Sequence, residues 1–114
     1  MDRTMELHEE IRDGVTVISP KGNINRATSP DLQARLQPLV EAGQNVVVDL
    51  EGAATVSSAG LRVMFIIAKA AGETGKFILA APNEMVADIL NVTGFASLIT
   101  VEEDVDSAIA LVKS

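Results

Sequence analysis

Two adjacent serines, Ser57 and Ser58, stand where an apolar run gives way to an apolar helical stretch. The segment reads Val46-Val47-Val48-Asp49-Leu50-Glu51-Gly52-Ala53-Ala54-Thr55-Val56-Ser57-Ser58-Ala59-Gly60-Leu61. Val46-Val47-Val48 has the pattern of a strand covered on both faces, and the serines open the helix that follows. A hydroxyl at a helix start has two uses. It can satisfy a backbone N–H that lacks a helical partner, or it can carry a phosphoryl group stabilised by those N–H groups and the helix dipole. The second use puts a dianion on the surface without unfolding the helix, and so changes what that surface binds. Spacing alone leaves both open.

Other chemistry is short of parts. For a hydrolase nucleophile at Ser58, Val56 stands where the strained strand-to-helix turn needs glycine. The single histidine, His8, sits in the first predicted strand as an ordinary residue, so no base serves the serines. Gly72-Glu73-Thr74-Gly75-Lys76-Phe77 is too short between its glycines for a phosphate-binding loop, and Phe replaces the metal-binding hydroxyl. It reads as a helix end and turn. Without cysteine there are no disulfides, thiolate zinc sites or thiol nucleophiles. Glu9-Glu10 and Glu102-Glu103-Asp104 with Asp106 read as solvated charge rather than a cation site. Asp49 reads as a buried cap, with orientation of the Ser57-Ser58 loop as the alternative. The expectation is a protein with no catalytic residues, no metal and no cofactor.

Composition narrows the partners. The chain has 114 residues, a formal net charge of −7, 47% hydrophobic residues and 3% aromatics. One domain over residues 1–114 is the default at this length, with an aliphatic core. The negative charge repels phosphate backbones and anionic lipid, so no nucleic-acid partner is expected. Met1 to Glu10 is polar and acidic, unlike a signal peptide. The longest strongly apolar run, Val63 to Ala68, is far below the ~20 residues a membrane helix needs. A cytoplasmic monomer that does not insert into membranes is the resulting expectation.

These residues must be positioned by the elements around them. Met5–Arg12 and Val15–Ser19 lean towards strand and flank Asp13-Gly14, a hairpin signal; Lys21-Gly22-Asn23 then breaks the pattern. Thr28-Ser29-Pro30 resembles a helix start with a hydroxyl cap. Leu32, Leu36, Leu39 and Val40 share one face of that helix, which ends at Gly43. Ser58 to about Ala71 predicts a second helix, closed by Gly72 and Gly75. Only Arg62 and Lys69 interrupt its apolar run, so it is either deeply buried or partly sealed by another protein. Lys76–Ala80 predicts a buried strand. Asn83 caps a third helix bearing Met85, Val86, Ile89 and Leu90 and ending at Gly94. Leu98–Val101 predicts a short strand, and Val105–Lys113 an amphipathic last helix with carboxylates at its start. The order β-β-α-β-α-β-α-β-α predicts an α/β fold: one mixed, mostly parallel sheet of four to five strands, about four covering helices and an opening β-hairpin. Sites in such sheets gather at the carboxyl ends of parallel strands, here the loops Gly22–Ser29 and Glu51–Ser58.

Val56-Ser57-Ser58-Ala59-Gly60-Leu61-Arg62-Val63 resembles the phosphorylation loop of STAS-domain proteins, specifically bacterial anti-sigma factor antagonists, whose usual form is Asp-Ser-Ser/Thr/Ala-Gly-Leu after an apolar strand. Gly22-Asn23-Ile24-Asn25 is similar to the family's Gly-x-Leu-Asp, Asn83 to Phe95 to its third-helix ending, and Ala108-Ile109-x-Leu111 to its final helix. The resemblance implies a STAS-like fold and a partner-switching function. An anti-sigma factor that is also a serine kinase would be bound by the unphosphorylated chain, releasing a sigma factor. Phosphorylation at Ser58, or else Ser57, would break the complex, and a serine phosphatase would restore it. The implied partner-binding residues are Asn23, Asn25, Ser57, Ser58, Ala59, Gly60, Arg62 and Val63. Ser57 and Asn25 each stand where the family most often has Asp, and both departures remove negative charge. The alternatives are a STAS adaptor without a kinase, serving a transporter, sensory or lipid-trafficking complex, and a nucleotide- or small-ligand-binding domain using the same loops.

Overall fold

The computed structural model describes residues 5–72 and 76–113. Strands β1 (Glu6–Arg12) and β2 (Val15–Ile24) form the opening hairpin, turned at Asp13 and Gly14 with φ of 54° and 80°. There follow α1 (Ser29–Glu41), β3 (Val46–Asp49), β4 (Ala53–Val56), α2 (Ser58–Ala71), β5 (Phe77–Ala80), α3 (Glu84–Val92), a 3-10 turn (Phe95–Ser97), β6 (Thr100–Glu102) and α4 (Val105–Lys113). The sheet order is β1-β2-β3-β5-β6, with β4 pairing to β2 beside that path. All pairings are parallel except the hairpin.

The sheet thus has six strands, not four to five. The extra one is β4, which lies inside the expected Glu51–Ser58 loop. Ala53-Ala54-Thr55-Val56 is too short and too weakly apolar to announce a strand by alternation. It exists because β2 runs on past its expected end at Ser19. Lys21-Gly22-Asn23 does not break that strand; it runs through, and the register shift beside it falls as a bulge on β4. Gly22 pairs with Ala53 and Asn23 with Thr55, so Ala54 is the unpaired residue, and Gly22 takes the φ of 119° that glycine tolerates. The first half of β2 pairs with β3 and its second half with β4.

The two faces of the sheet bury different residues. Ile18, Ile24, Val46, Val48, Phe77 and Leu79 pack with Leu32, Leu36 and Val40 of α1, Leu61, Met64 and Ile67 of α2, and Val86 and Leu90 of α3. Val15, Val17, Val47, Ile78 and Ala80 pack on the other face with Ala108, Ile109 and Val112 of α4. Val46 and Val48 face one layer and Val47 the other, as a doubly covered strand requires. The core is aliphatic apart from Phe77. At the open edge, β1 carries Glu6, His8, Glu9 and Glu10 exposed, a charged rim that discourages further strand pairing.

Helix α2 spans the stretch read from sequence and ends at Gly72; Gly75, read as its second stop, lies outside the described residues. Its first turn presses on the sheet. A Cβ added at Gly60 would meet Ile24 Cγ2 at 2.7 Å, Val56 Cγ1 at 3.0 Å and the Ile24 carbonyl oxygen at 3.2 Å. Helix α4 is capped by Asp104, whose Oδ1 accepts from the Ser107 N–H at 2.7 Å. That hydrogen bond holds the Asp104 carboxyl below its ordinary value.

Two outcomes are expected. Gly60→Ala should gain helix propensity yet destabilise the fold by about 1–3 kcal/mol, because the branched side chains of Ile24 and Val56 and the Ile24 carbonyl must give way; a lower urea midpoint checks this. Asp104 should titrate below the usual carboxylate range in an NMR pH series. Its cap stabilises the fold above the unfolded-state pKa and loses that effect as pH falls through the depressed folded value, so Asp104→Ala should reduce the acid dependence of stability.

Candidate functional site

The second half of β2 and strand β4 run side by side and end together, which brings the two expected loops into contact. Beyond the last register pair, Ile24 with Val56, the Ser57 N–H donates to the Ile24 carbonyl at 2.8 Å. That bond fixes Ser57 in extended conformation as the N-cap of α2, and the Leu61 N–H closes the first helical bond on the Ser57 carbonyl at 2.9 Å. The Ser57 hydroxyl accepts from the Gly60 N–H at 3.4 Å. Ser57 is half-buried.

Ser58 differs from its neighbour in each respect. It is exposed, it is the first residue of α2, and its hydroxyl makes no hydrogen bond among the described residues. The N–H groups of Ser58 and Ala59 have no partner within the helix at these positions. Of the two serines, Ser57 makes the cap and Ser58 keeps a solvent-facing hydroxyl.

The turn from β2 into α1 forms the other side. Asn25 Oδ1 accepts from the N–H groups of Ala27 at 2.9 Å and Thr28 at 3.1 Å. The Asn25 N–H donates to the Thr28 hydroxyl at 2.9 Å, and that hydroxyl donates to the Asn23 carbonyl at 2.7 Å. Thr28 therefore makes no side-chain cap bond to α1, contrary to the sequence reading. Its hydroxyl is spent backwards, on the turn. Asn25 supplies the acceptor that an aspartate would, so the turn survives the loss of that charge.

Asn83 joins the site from a third element. Its Oδ1 caps α3 by accepting from the Val86 N–H at 2.8 Å, while its Nδ2 donates to the carbonyls of Ala53 and Ala54 at 3.1 and 3.2 Å. The unpaired bulge residue thus acquires a partner. Thr28 and the outward half of Asn83 are the positioning residues that sequence reasoning missed. The Asn-x-x-Thr spacing was the available signal for the first; nothing local signalled the second.

The remaining expected site residues separate into two groups. Ala59 and exposed Arg62 lie beside Ser58 on α2, Arg62 one turn along, and half-buried Asn23 pairs with Thr55 on β4. Gly60 and Val63, also expected at the partner surface, are buried instead, Val63 to 6% exposure. Asp49 does not orient the serine loop: its Oδ1 accepts from Glu51 N–H and its Oδ2 from the Ser19 hydroxyl, which caps the turn after β3. His8 is an exposed strand residue next to Glu6. Apolar α2 is resolved as a mostly buried helix: Leu61, Val63, Met64, Ile67 and Ala71 are in the core. Phe65, half-buried, meets Phe95 edge-on at 6.1 Å and lies under Lys69. Met85, expected on the apolar side of α3, is 59% exposed.

No group of three or more metal-binding side chains occurs among the described residues, and no described helix is long and apolar enough to cross a membrane. A groove of about 420 Å³ lined by Ala71, Gly72, Phe77, Leu98 and Leu111 lies at the opposite end of the parallel strands, away from Ser58.

Comparison with known proteins agrees with this geometry over nearly the full chain. The STAS domain family model matches residues 6–108. BtrV of Bordetella bronchiseptica, provisionally named an anti-sigma factor antagonist, is 31% identical over 112 residues, covering 96% of this chain and 97% of its own. The crystal structure of an anti-sigma factor antagonist from Mycobacterium paratuberculosis superposes with a TM-score of 0.92 at 23% identity, covering 100% of this chain and 98% of that one. SpoIIAA in its unphosphorylated form gives a TM-score of 0.76 at 15% identity, covering 96% of each chain. With the family match spanning both halves of the Ser58 site, the chain belongs to the STAS domain family.

Proposed function

We propose that this protein is an anti-sigma factor antagonist whose binding is switched at Ser58. The observation that carries the reading is the contrast between the two serines: Ser57 is tied into the helix cap, and Ser58 offers a free, exposed hydroxyl one residue further on. The similarity to BtrV along the whole chain supports the same function. In this reading the unphosphorylated surface around Asn23, Asn25, Ser57, Ser58, Ala59 and Arg62 binds an anti-sigma factor serine kinase, and the complex frees a sigma factor. The kinase then moves the γ-phosphoryl of ATP to Ser58. The Ser58 Oγ–P bond forms, the phosphoanhydride bond breaks, ADP leaves, and the hydroxyl proton passes to a base on the kinase. A serine phosphatase reverses the state by hydrolysis.

The physical effect follows from place. A phosphoryl group adds a charge of about −1.5 to −2 at pH 7. At the first residue of α2 it meets unpartnered N–H groups, so the fold tolerates it while the docking surface changes. A loss of about 2–3 kcal/mol of binding lowers affinity by about 30–150-fold, enough for a switch. The chain contributes the acceptor hydroxyl and its presentation; the catalysis belongs to its partners.

Incubation with a cognate anti-sigma factor kinase and ATP should place phosphate on Ser58, mapped by mass spectrometry. Absence of phosphate from both serines would transfer the chain to the adaptor reading, which the loss of two acidic positions, at Asn25 and Ser57, would then explain. In binding assays Ser58→Ala should hold the kinase in the presence of ATP as well as in its absence. Ser58→Asp should bind at least about tenfold more weakly; equal affinities for the two variants would refute the switch.

A further inference from the structure

The chain is acidic overall, yet Arg26 and Arg62, in the two segments that meet at Ser58, carry no ion pair among the described residues. Among the described residues Arg12 pairs with Asp106 at 2.6 Å, Arg35 with Glu9 at 3.2 Å and Lys113 with Asp13 at 3.8 Å. Lys69 lies over the Phe65 ring, and Lys76 Nζ donates to the Val112 carbonyl. Lys21, Arg26 and Arg62 are exposed and make no ion pair or hydrogen bond among the described residues. All belong to the segments that build the site. Arg62 follows Ser58 by four residues, on the same helix face. Arg26 follows the Asn25 turn, across from the Ser57-Ser58 junction, and Lys21 lies on β2 against the Gly52 turn. The exposed carboxylates bordering this end, Asp31, Glu51 and Glu84, pair with none of them. Asn25 and Ser57, the two positions where the family usually places aspartate, are neutral here.

We infer that the partner docks on this rim through an acidic protein surface, with Arg26 and Arg62 as the principal contacts and Lys21 outside them. Charge complementarity carries the assignment. A side chain that is long, exposed and unpaired loses little on meeting a carboxylate, and bidentate arginine–carboxylate pairs are the strongest of such contacts. Elsewhere the −7 chain repels an acidic partner, so the rim also selects the orientation of approach. The inference rests on the docking surface proposed above, and it adds a means of switching: a dianion on Ser58 would compete for Arg62, one helical turn away, and repel the same acidic surface.

The test measures binding of the full chain to the kinase shown to phosphorylate it, by calorimetry from about 0.05 to 0.5 M NaCl. Wild-type affinity should fall by at least about tenfold across that range, and Arg26→Gln and Arg62→Gln should each weaken low-salt binding by about five- to tenfold and flatten the salt dependence. Arg62→Lys should recover part of the loss, and Lys113→Gln, on α4, should bind as wild type. Ser58→Asp should show a shallower salt dependence than wild type. Salt-independent wild-type binding, or full affinity in both glutamine variants, overturns the acidic-surface assignment while leaving the antagonist reading intact. Binding of a random-sequence DNA duplex through the same arginines assigns the rim to phosphate and also overturns it. Failure of the wild-type chain to bind any such kinase overturns the antagonist reading, and this inference with it.

Discussion

The parallel pairing of the second half of β2 with β4 is the constraint on which the site depends. It sets Ile24 beside Val56, lets the Ser57 N–H continue the ladder onto the Ile24 carbonyl, and thereby fixes where α2 begins. The exposure of Ser58 follows from that starting point. Were α2 to begin one residue later, Ser58 would become the cap and its hydroxyl would be spent. The pairing is supported from below by Gly60, where only the absence of a side chain allows helix and strands to approach, and from the side by Asn83, which satisfies the bulged carbonyls.

A rigid frame and a free hydroxyl are complementary requirements. The hydrogen bonds of Ser57, Asn25, Thr28 and Asn83 are directed inward, at backbone groups that would otherwise lack partners. The groups left over point outward: the Ser58 hydroxyl, the first N–H groups of α2, and the arginines beside them. In the proposed switch, a surface built this way would take a phosphoryl group without rearranging its support. The frame's chemistry is local, and the arginines beside it stay without ion pairs, whereas Arg12, Arg35 and Lys113 are paired. Net charge alone would place no such rim here; only the distribution of ion pairs reveals it.

Much of the fold was legible because its signals are periodic. The leucines of α1, the valine run of β3, the Asp13-Gly14 turn and the asparagine before α3 each report a local preference that the structure keeps. The failures share one cause. Strand β4, the continuation of β2, the backward bond of Thr28 and the second half of Asn83 all depend on a partner distant in sequence. Ala53-Ala54-Thr55-Val56 has little strand preference of its own; its neighbour supplies it. Thr28 has a cap's identity and position, but Asn23 and Asn25 compete for its hydroxyl and win.

By itself, the sequence determined the class of the fold, the aliphatic core and the position of the two serines at the start of α2. Those properties reside in residue identity, periodicity and composition, which need no knowledge of distant neighbours. Tertiary structure decided which serine caps and which is offered to solvent, because that choice rests on a hydrogen bond between residues 24 and 57. It also decided which cations stay unpaired, since an ion pair such as Arg12 with Asp106 forms only after the hairpin and the last helix have met.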